Sequence, residues 1–248
     1  MSLNLADLLS NFSTCEVSDA LIKLGEPNGG HLPDIYRISP SPDGPCPRLC
    51  GPAYTVFMDF VSEQKVPNFQ GHFVDLAPEG SVVFILVPPG QSAPPPMLSP
   101  LTNTPQNKTA ENAVWGGLMT AGAQARGVVG AIVWGRVRDT AEHRAAGFPV
   151  FARGTSTVGQ ASFTRAVEVQ IPLVVTNIPR LPGALPMVCV NPGDLLLADE
   201  DGVVCIPKQL EQEVLRMAEL GREVDARCLK DIQAGVGVEE SFRRHRGK

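Results

Sequence analysis

The fold is decided by the stretch GVVGAIVWGRVRDTAEH, residues 127–143. Its first part, Val128 to Trp134, is an unbroken apolar run with the length of a strand buried on both faces, and Thr140 to Ala146 has the composition of a short helix. A second run of the same kind, Val82 to Val87, precedes it in the chain. Buried strands that alternate with helices are typical of α/β proteins. The stretch therefore predicts an α/β fold with a mixed sheet covered by helices.

Further elements are predicted on both sides of this stretch. The apolar periodicity favours helices at 5–12, 17–24 and 112–126, strands at 53–60, 167–175, 187–190, 194–198 and 203–206, and a long C-terminal helix at about 208–233. Residues 25–50 are predicted to be an irregular connection, and the basic residues 243–248 a solvated end. Seven prolines in residues 88–108 predict a loop insertion within a single domain, residues 1–248.

The composition is that of a globular domain, with 248 residues of which 43% are hydrophobic. The 21 Lys and Arg residues against 26 Asp and Glu give a formal net charge of −5, which disfavours nucleic acid as a ligand. The apolar runs are shorter than the ~20 residues of a membrane-spanning helix, and no secretory signal is visible at the N-terminus. We therefore expect a cytoplasmic protein without membrane association.

Several common catalytic motifs are absent from the sequence. No glycine-rich loop ends in Lys-Ser or Lys-Thr, no Gly-x-Gly-x-x-Gly follows a predicted strand, and no Gly-x-Ser-x-Gly occurs. The six cysteines are scattered and predict neither a disulfide framework nor a zinc site. Nucleotide chemistry and covalent hydrolysis are therefore disfavoured.

Two neighbouring motifs carry the candidate chemistry. The first is WGGLM, residues 115–119, at the predicted start of a helix, where paired glycines let a small carboxylate approach backbone amides. A tight turn without a ligand is the alternative. The second follows the strand that ends at Trp134. Its Asp139 and Glu142 are three residues apart and face one side of a helix, which suits Mg²⁺ or Mn²⁺, while Arg138 offers a fork for a substrate carboxylate. The alternative is a helix start favoured by the helix dipole, with a surface ion pair.

An ordered set of short segments resembles one protein family. The segments are VSDAL (17–21), GPAYTV (51–56), NAVWGGLM (112–119), RGVVG (126–130), VRD (137–139), FPVFARGT (148–155) and PGDLLLADEDGVV (192–204). Over at least residues 17–207 the chain resembles the family of regulator of ribonuclease activity A and the 4-hydroxy-4-methyl-2-oxoglutarate aldolases.

This resemblance implies a compact αββα-type sandwich with a mixed sheet, and a homotrimer or a dimer of trimers with active sites at subunit interfaces. It also implies a class II pyruvate aldolase that depends on a divalent metal, Mg²⁺ or Mn²⁺. Such a lyase acts on short 2-keto acids through an enolate. It cleaves 4-hydroxy-4-methyl-2-oxoglutarate to pyruvate by a retro-aldol reaction, and decarboxylates oxaloacetate.

The family pattern transfers to the two motifs residue by residue. Arg138 and Asp139 match its catalytic pair, so Asp139 is expected to bind the metal directly and Arg138 to hold the keto-acid end of the substrate. Glu142 matches a further acidic position and is expected to bind the metal through water.

The same pattern assigns Gly116, Gly117, Leu118 and Met119 to substrate binding, with the backbone amides of Leu118 and Met119 receiving the substrate carboxylate. The chain departs from the pattern at Gly117, where the aldolases carry an acidic residue, and at Trp134, where many relatives carry Asp.

These departures leave two alternatives to the lyase. One is a non-catalytic oligomeric binding or regulatory protein, and the other is a relative recruited to another carbon–carbon lyase, decarboxylase or isomerase step. Two further expectations concern single sites. His143 is expected to be a solvated helix residue, with a proton shuttle beside Glu142 as the alternative. The acidic turn 199–202 is expected to serve backbone geometry, with a second metal cluster as the alternative.

Overall fold

The fold is built on a central sheet. The computed structural model describes residues 4–40, 48–61, 69–87, 110–175 and 185–247. The helices are α1 (Leu5–Leu9), α2 (Thr14–Lys23), α3 (Gly117–Ala125), α4 (Thr140–Ala145), α5 (Glu211–Gln233) and α6 (Val238–Arg246), with 3₁₀ turns at Phe73–Leu76 and Lys208–Leu210. The strands are β1 (His31–Leu32), β2 (Tyr36–Ser39), β3 (Leu49–Phe60), β4 (Val82–Leu86), β5 (Ala113–Trp115), β6 (Gly130–Val137), β7 (Val150–Thr155), β8 (Thr164–Val169), β9 (Leu173–Val175), β10 (Val188–Val190), β11 (Leu195–Ala198) and β12 (Val203–Ile206).

The central sheet is mixed. Its strands follow the order β1-β12-β11-β3-β4-β6-β7-β2, with β5 beside β6 and β8 beside β3. The middle strands β3, β4, β6 and β7 are parallel, whereas their outer neighbours β11 and β2 pair in the antiparallel direction. β9 and β10 form a separate two-stranded ladder. The predicted α/β fold with a mixed sheet is confirmed.

The apolar core lies on both faces of this sheet. All five residues of β4 are buried, and they alternate between two hydrophobic clusters. Val83 and Ile85 belong to one cluster, while Phe84 and Leu86 belong to the other. This alternation is the period of two that a strand imposes, and it explains why the sequence of β4 is continuously apolar.

A third hydrophobic cluster joins α2 to the C-terminal part of the chain. Leu21 of α2, Leu197 of β11 and Val214 of α5 are buried together in it. At its edge, Arg222 of α5 donates from Nε to Oε1 of Glu16 at 2.6 Å. The long amphipathic helix predicted at about 208–233 is therefore confirmed as α5, with one face packed on the N-terminal helices.

The turn between β11 and β12 also anchors α2. Asp199 is buried there and accepts hydrogen bonds from the backbone amide and the hydroxyl of Thr14, at 2.9 and 2.7 Å. It also accepts one from the amide of Asp201 at 3.0 Å, and Arg48 Nε lies 3.8 Å from Oδ2. The carboxylate thus holds its own turn, in line with the backbone interpretation of this acidic turn. It also satisfies the start of α2, which the sequence did not predict.

Three of the predicted elements were wrong in part. Residues 112–126 form β5 followed by α3 instead of one helix, because Ala113–Trp115 pairs with the end of β6. Residues 25–50 contain β1 and β2, which pair with β12 and β7. Residues 167–175 divide between β8 and β9, since Gln170 adopts a left-handed conformation with φ of 58° and interrupts the run.

The basic C-terminal residues, predicted to be a solvated end, are mostly exposed, but residues 243–246 also belong to α6, which was not predicted. Arg246 of α6 donates to Asp225 of α5 at 2.6 Å, and His245 contacts Asp231 at 2.9 Å. Acidic residues on α5 therefore hold this helix in place. The predicted loop insertion at 88–108 lies outside the described residues. Within the described ranges, no helix combines the length and apolarity needed to cross a membrane.

Candidate active site

Two turns that carry the predicted site residues lie side by side at one edge of the sheet. β4 pairs with Gly130–Trp134 of β6, and β5 then pairs with Arg136 and Val137 at the carboxyl end of the same strand. Because β5 and β6 are parallel, the turns that lead to α3 and α4 leave the sheet at the same edge. The amide of Arg138 donates to the carbonyl of Trp115 at 2.9 Å, which joins the two turns directly.

An open cleft of about 650 Å³ lies over these turns. Six of the predicted site residues line it: Gly116, Leu118, Met119, Arg138, Asp139 and Glu142. The remaining one, Gly117, is buried under the side chain of Glu142. The structure thus brings all of the predicted site residues together in one place.

Asp139 is held in an unusual conformation. It is the N-cap residue of α4 with φ of 58° and ψ of 40°, a left-handed region that Asp tolerates better than most residues. Its carboxylate does not cap α4 but reaches α3, where Oδ2 accepts from the amide of Gly117 at 3.0 Å. Nε of Arg138 lies 3.5 Å from the same oxygen. The other oxygen, Oδ1, accepts no hydrogen bond from the described residues and is open to a ligand.

Two carboxylates converge on the paired glycines. A Cβ atom added at Gly116 would lie 2.6 Å from Oδ2 of Asp139, and one added at Gly117 would lie 1.6 Å from Oε2 of Glu142. The Glu142 carboxylate forms no hydrogen bond or ion pair with the described part of the chain. The space of the side chain at position 117, which is acidic in the aldolase pattern, is therefore filled by an acidic group from α4.

The start of α3 offers fewer amides than the sequence predicted. The amide of Met119 donates to the carbonyl of Gly116 at 3.1 Å, and the amide of Gly117 is taken by Asp139. Within the described ranges, the amide of Leu118 has no acceptor. The expectation that Met119 receives a substrate carboxylate through its amide stays a prediction, and the ligand would have to replace the internal hydrogen bond of the first turn of α3.

Arg138 spans the cleft and the loop after β7. Its side chain is 47% exposed, and a Cβ atom added at Gly159 would lie 2.6 Å from Nη1. Gly159 therefore leaves room for the guanidinium. The planar group can present its remaining donors to a carboxylate in the cleft.

The sequence did not reveal three other lining residues, His72, Asp75 and Gln160. His72 caps the 3₁₀ turn that begins at Phe73, and its Nδ1 accepts from the amide of Val74 at 3.3 Å. In the neutral ring, Nε2 therefore carries the proton. These residues come from segments far apart in the chain, so no local spacing could have indicated them.

His143 is buried, not solvated as predicted from its helix. Its Nδ1 lies 2.9 Å from the hydroxyl of Thr120, and the ring has no exposed surface. Burial lowers the pKa of His143, against smaller opposing effects of the Arg138 backbone and the charges of Asp139 and Glu142. The sequence misled here because α4 packs this face against α3.

The donor set of the cleft fits a hard divalent cation that keeps part of its water. Within the described ranges, no group of three or more His, Cys, Asp or Glu side chains is arranged to hold a metal. Asp139 and Glu142 supply two carboxylates, and Mg²⁺ is commonly bound by one or two carboxylates together with water and substrate oxygens. The residues present therefore fit Mg²⁺ or Mn²⁺ but provide no complete protein cage.

The fold and this site define a known class of protein. The RraA-like family model, described as Aldolase/RraA, matches residues 14–205. The chain therefore belongs to the RraA-like family, which includes metal-dependent class II aldolases as well as regulators.

Individual relatives agree with this assignment. The chain is 28% identical over 240 residues to protein DlpA of Legionella pneumophila. The aligned region covers 96% of this chain and 33% of that protein. The chain is 33% identical over 106 residues to a protein of Halalkalibacterium halodurans named "Putative 4-hydroxy-4-methyl-2-oxoglutarate aldolase", which covers 43% and 45% of the two chains. The chain thus spans less than half the length of these curated relatives. A crystal structure of an uncharacterized protein from Pseudomonas syringae pv. tomato superposes with a TM-score of 0.69 and 27% identity over 96% of both chains.

Proposed function

We propose that this chain is a divalent-metal-dependent lyase for short 2-keto acids. It would cleave 4-hydroxy-4-methyl-2-oxoglutarate to pyruvate, decarboxylate oxaloacetate, or do both. The observation that carries the proposal is the convergence of the Asp139 and Glu142 carboxylates, beside Arg138, on two consecutive glycines at a helix start. The similarity to a protein named as an aldolase of this kind supports the choice of reaction.

Three side chains and one backbone amide of the cleft have roles in this reaction. Asp139 and Glu142 would hold the Mg²⁺ or Mn²⁺ ion, Asp139 as a direct ligand and Glu142 through water. When bound, the metal withdraws electrons from the keto acid and so weakens the carbon–carbon bond that breaks. Arg138 binds the substrate carboxylate and offsets the negative charge that develops during cleavage. The free amide of Leu118 donates to the same carboxylate at the positive end of α3.

The proton that completes pyruvate needs a donor within the cleft. His72 lines the wall, and its Nδ1 is occupied by the amide of Val74. In the neutral ring, Nε2 therefore carries a proton that can be transferred. We assign His72 the proton-transfer role.

The test is release of pyruvate from both substrates with Mg²⁺ or Mn²⁺, and again with excess chelator. Asp139→Asn keeps the side-chain shape and tolerates the left-handed backbone, but removes the charge. Asp34→Asn is the matched control, because Asp34 also has a left-handed φ of 57° and also pairs with an arginine, Arg153, at 3.4 Å. We expect chelator-sensitive release that falls at least ~100-fold in Asp139→Asn, the order of loss seen when a metal ligand shell or charge stabilisation is removed. Equal activity of the two variants would refute the assignment of Asp139.

One observation favours a second function. The described part of the chain has no group of three metal-ligating side chains, and Asp139 already satisfies the amide of Gly117. In a non-catalytic binding or regulatory protein, the contact between Asp139 and Gly117 would only stabilise the fold. Such a protein would bind Mn²⁺ no more tightly than Asp139→Asn does and would release no pyruvate from either substrate.

We also propose that the chain forms a homotrimer or a dimer of trimers with sites at the subunit interfaces. Leu118 is 89% exposed beside the cleft, which is unusual for a large apolar side chain at a site and fits contact with another copy. Light scattering after size exclusion would give three or six times the chain mass of 26.5 kDa. A monomer mass would contradict this proposal without affecting the lyase assay.

A further inference from the structure

A buried polar network of Trp115, Thr120 and His143 connects β5, α3 and α4, the elements that carry the site. Nε1 of Trp115 donates to the hydroxyl of Thr120 at 2.9 Å, and that hydroxyl lies 2.9 Å from Nδ1 of His143. The exposed fractions of Trp115, Thr120 and His143 are 1%, 1% and 0%. Trp115 ends β5, Thr120 lies one turn into α3, and His143 lies on α4, so the network connects both turns of the cleft.

The protons of this network can be placed from donor capacity. An indole nitrogen only donates, so the hydroxyl of Thr120 accepts from Trp115. Within the described ranges His143 Nδ1 is the one further partner of this hydroxyl, so we place the hydroxyl proton on the hydrogen bond to His143. Nδ1 of His143 is then an acceptor, and Nε2 carries the ring proton. Nε2 is buried and has no hydrogen-bond partner within the described ranges.

The network packs behind the Arg138–Asp139 turn, whose backbone is in an unfavourable conformation. Asp139 is a left-handed residue, and a conformation of this kind persists only where the surroundings enforce it. The amide of His143 donates to the carbonyl of Asp139 at 3.3 Å, and the ring of His143 is buried behind the same turn. α4 has only six residues, so its own hydrogen bonds give the turn little rigidity.

We propose that Thr120 and His143 are positioning residues, which hold the Arg138–Asp139 turn against the start of α3. They contact neither substrate nor metal and act by fixing the carboxylate of Asp139 on the amide of Gly117. The expected effect of these residues on catalysis rests on the proposed function. Their effect on the conformation of the Arg138–Asp139 turn does not depend on it.

The experiment compares two variants, each of which removes one buried threonine hydroxyl. Thr120→Val deletes the centre of the network with little change in volume, and Thr120→Ser keeps the hydroxyl. Thr55→Val is the matched control, because Thr55 is also fully buried and its hydroxyl donates to the carbonyl of Ile171 at 2.8 Å, outside the cleft. Amide hydrogen exchange at Gly117 reports the contact with Asp139 without any need for activity.

We expect exchange at Gly117 to accelerate roughly tenfold in Thr120→Val, the effect of leaving buried polar groups without partners. Thr55→Val and Thr120→Ser should leave that amide near its wild-type rate. In the lyase assay, kcat should fall by a similar factor in Thr120→Val with little change in KM. Equal Gly117 exchange in Thr120→Val and Thr55→Val would overturn the inference. If the wild-type protein releases no pyruvate, the lyase proposal fails, and the exchange comparison still decides the role of the network.

Discussion

Replacing Gly117 with alanine isolates the approach of Glu142 to the start of α3. The new Cβ atom would lie 1.6 Å from Oε2 and 2.6 Å from Cδ of Glu142. The carboxylate must therefore move by roughly 2 Å to regain an ordinary contact distance. The backbone of Gly117 is outside the left-handed region, so the alanine itself fits the helix.

The structure separates the effect on stability from the effect on metal binding. The carboxylate is the free end of an exposed side chain, but Cβ of Glu142, which is fixed to α4, would also lie 3.1 Å from the new Cβ. The helix propensity of alanine, worth at most about 1 kcal/mol, is therefore offset by the shift that this contact requires. The free energy of unfolding should change by about 1 kcal/mol or less. Metal binding should weaken about 10- to 100-fold, because the second carboxylate no longer converges with Asp139 on the same space.

The assay is Mn²⁺ titration by calorimetry, together with thermal unfolding of the same samples. Gly221→Ala on α5 controls for helix propensity, since its Cβ meets only Nζ of Lys23 at 3.7 Å. The double variant Gly117→Ala/Glu142→Ala should bind Mn²⁺ no more weakly than Glu142→Ala alone, because the alanine acts through Glu142. Unchanged affinity in Gly117→Ala, or additive losses in the double variant, would refute the reasoning.

Three further predictions concern the third hydrophobic cluster and its neighbours. Leu197→Ala should lower the free energy of unfolding by about 2–5 kcal/mol in urea, because Leu197 is fully buried; a loss below 1 kcal/mol would contradict its place in the core. Asp199→Ala should cost about 1–3 kcal/mol or more, since it leaves the amide and hydroxyl of Thr14 without their acceptor, and an unchanged urea midpoint would argue against this role. The hydrogen bond from Arg222 lowers the pKa of Glu16 from its ordinary 4.5 to about 2, so the pair stabilises the fold above about pH 4.5, and that contribution is lost as the pH falls toward 2. Glu16→Gln should be less stable than wild type at pH 6 and equal to it near pH 2 in urea unfolding; a gap that persists at pH 2 would show that the charge is not the cause.

The sheet was predictable where burial on both faces produces continuous apolar runs. β4 and β6 have this pattern, and their positions follow from sequence within a few residues. β5 could not be separated from α3, because three apolar residues satisfy either a helix or a strand and only the pairing with β6 decides. α6 was missed since its contacts with Asp225 and Asp231 depend on the path of the preceding helix.

The site was predictable as a set of residues, but its internal contacts were not. Spacing placed Asp139 and Glu142 on one side of α4, and the glycine pair marked the start of α3. That Glu142 fills the space above Gly117 depends on the packing of α3 against α4, which leaves no trace in local sequence. The same packing buries His143, which a single amphipathic helix would expose.

The third hydrophobic cluster sets an order of assembly for the chain. The apolar face of α2, with Val17 and Leu21, shares its cluster with Leu9 of α1 and with residues of β11, β12 and α5, so part of its cover is added only late in synthesis. The parallel strands β3, β4, β6 and β7 contact one another earlier along the chain. During synthesis, the parallel strands can therefore meet while α2 still lacks the cover from β11, β12 and α5. A truncated product that ends before β11 would leave that part of the apolar face of α2 exposed.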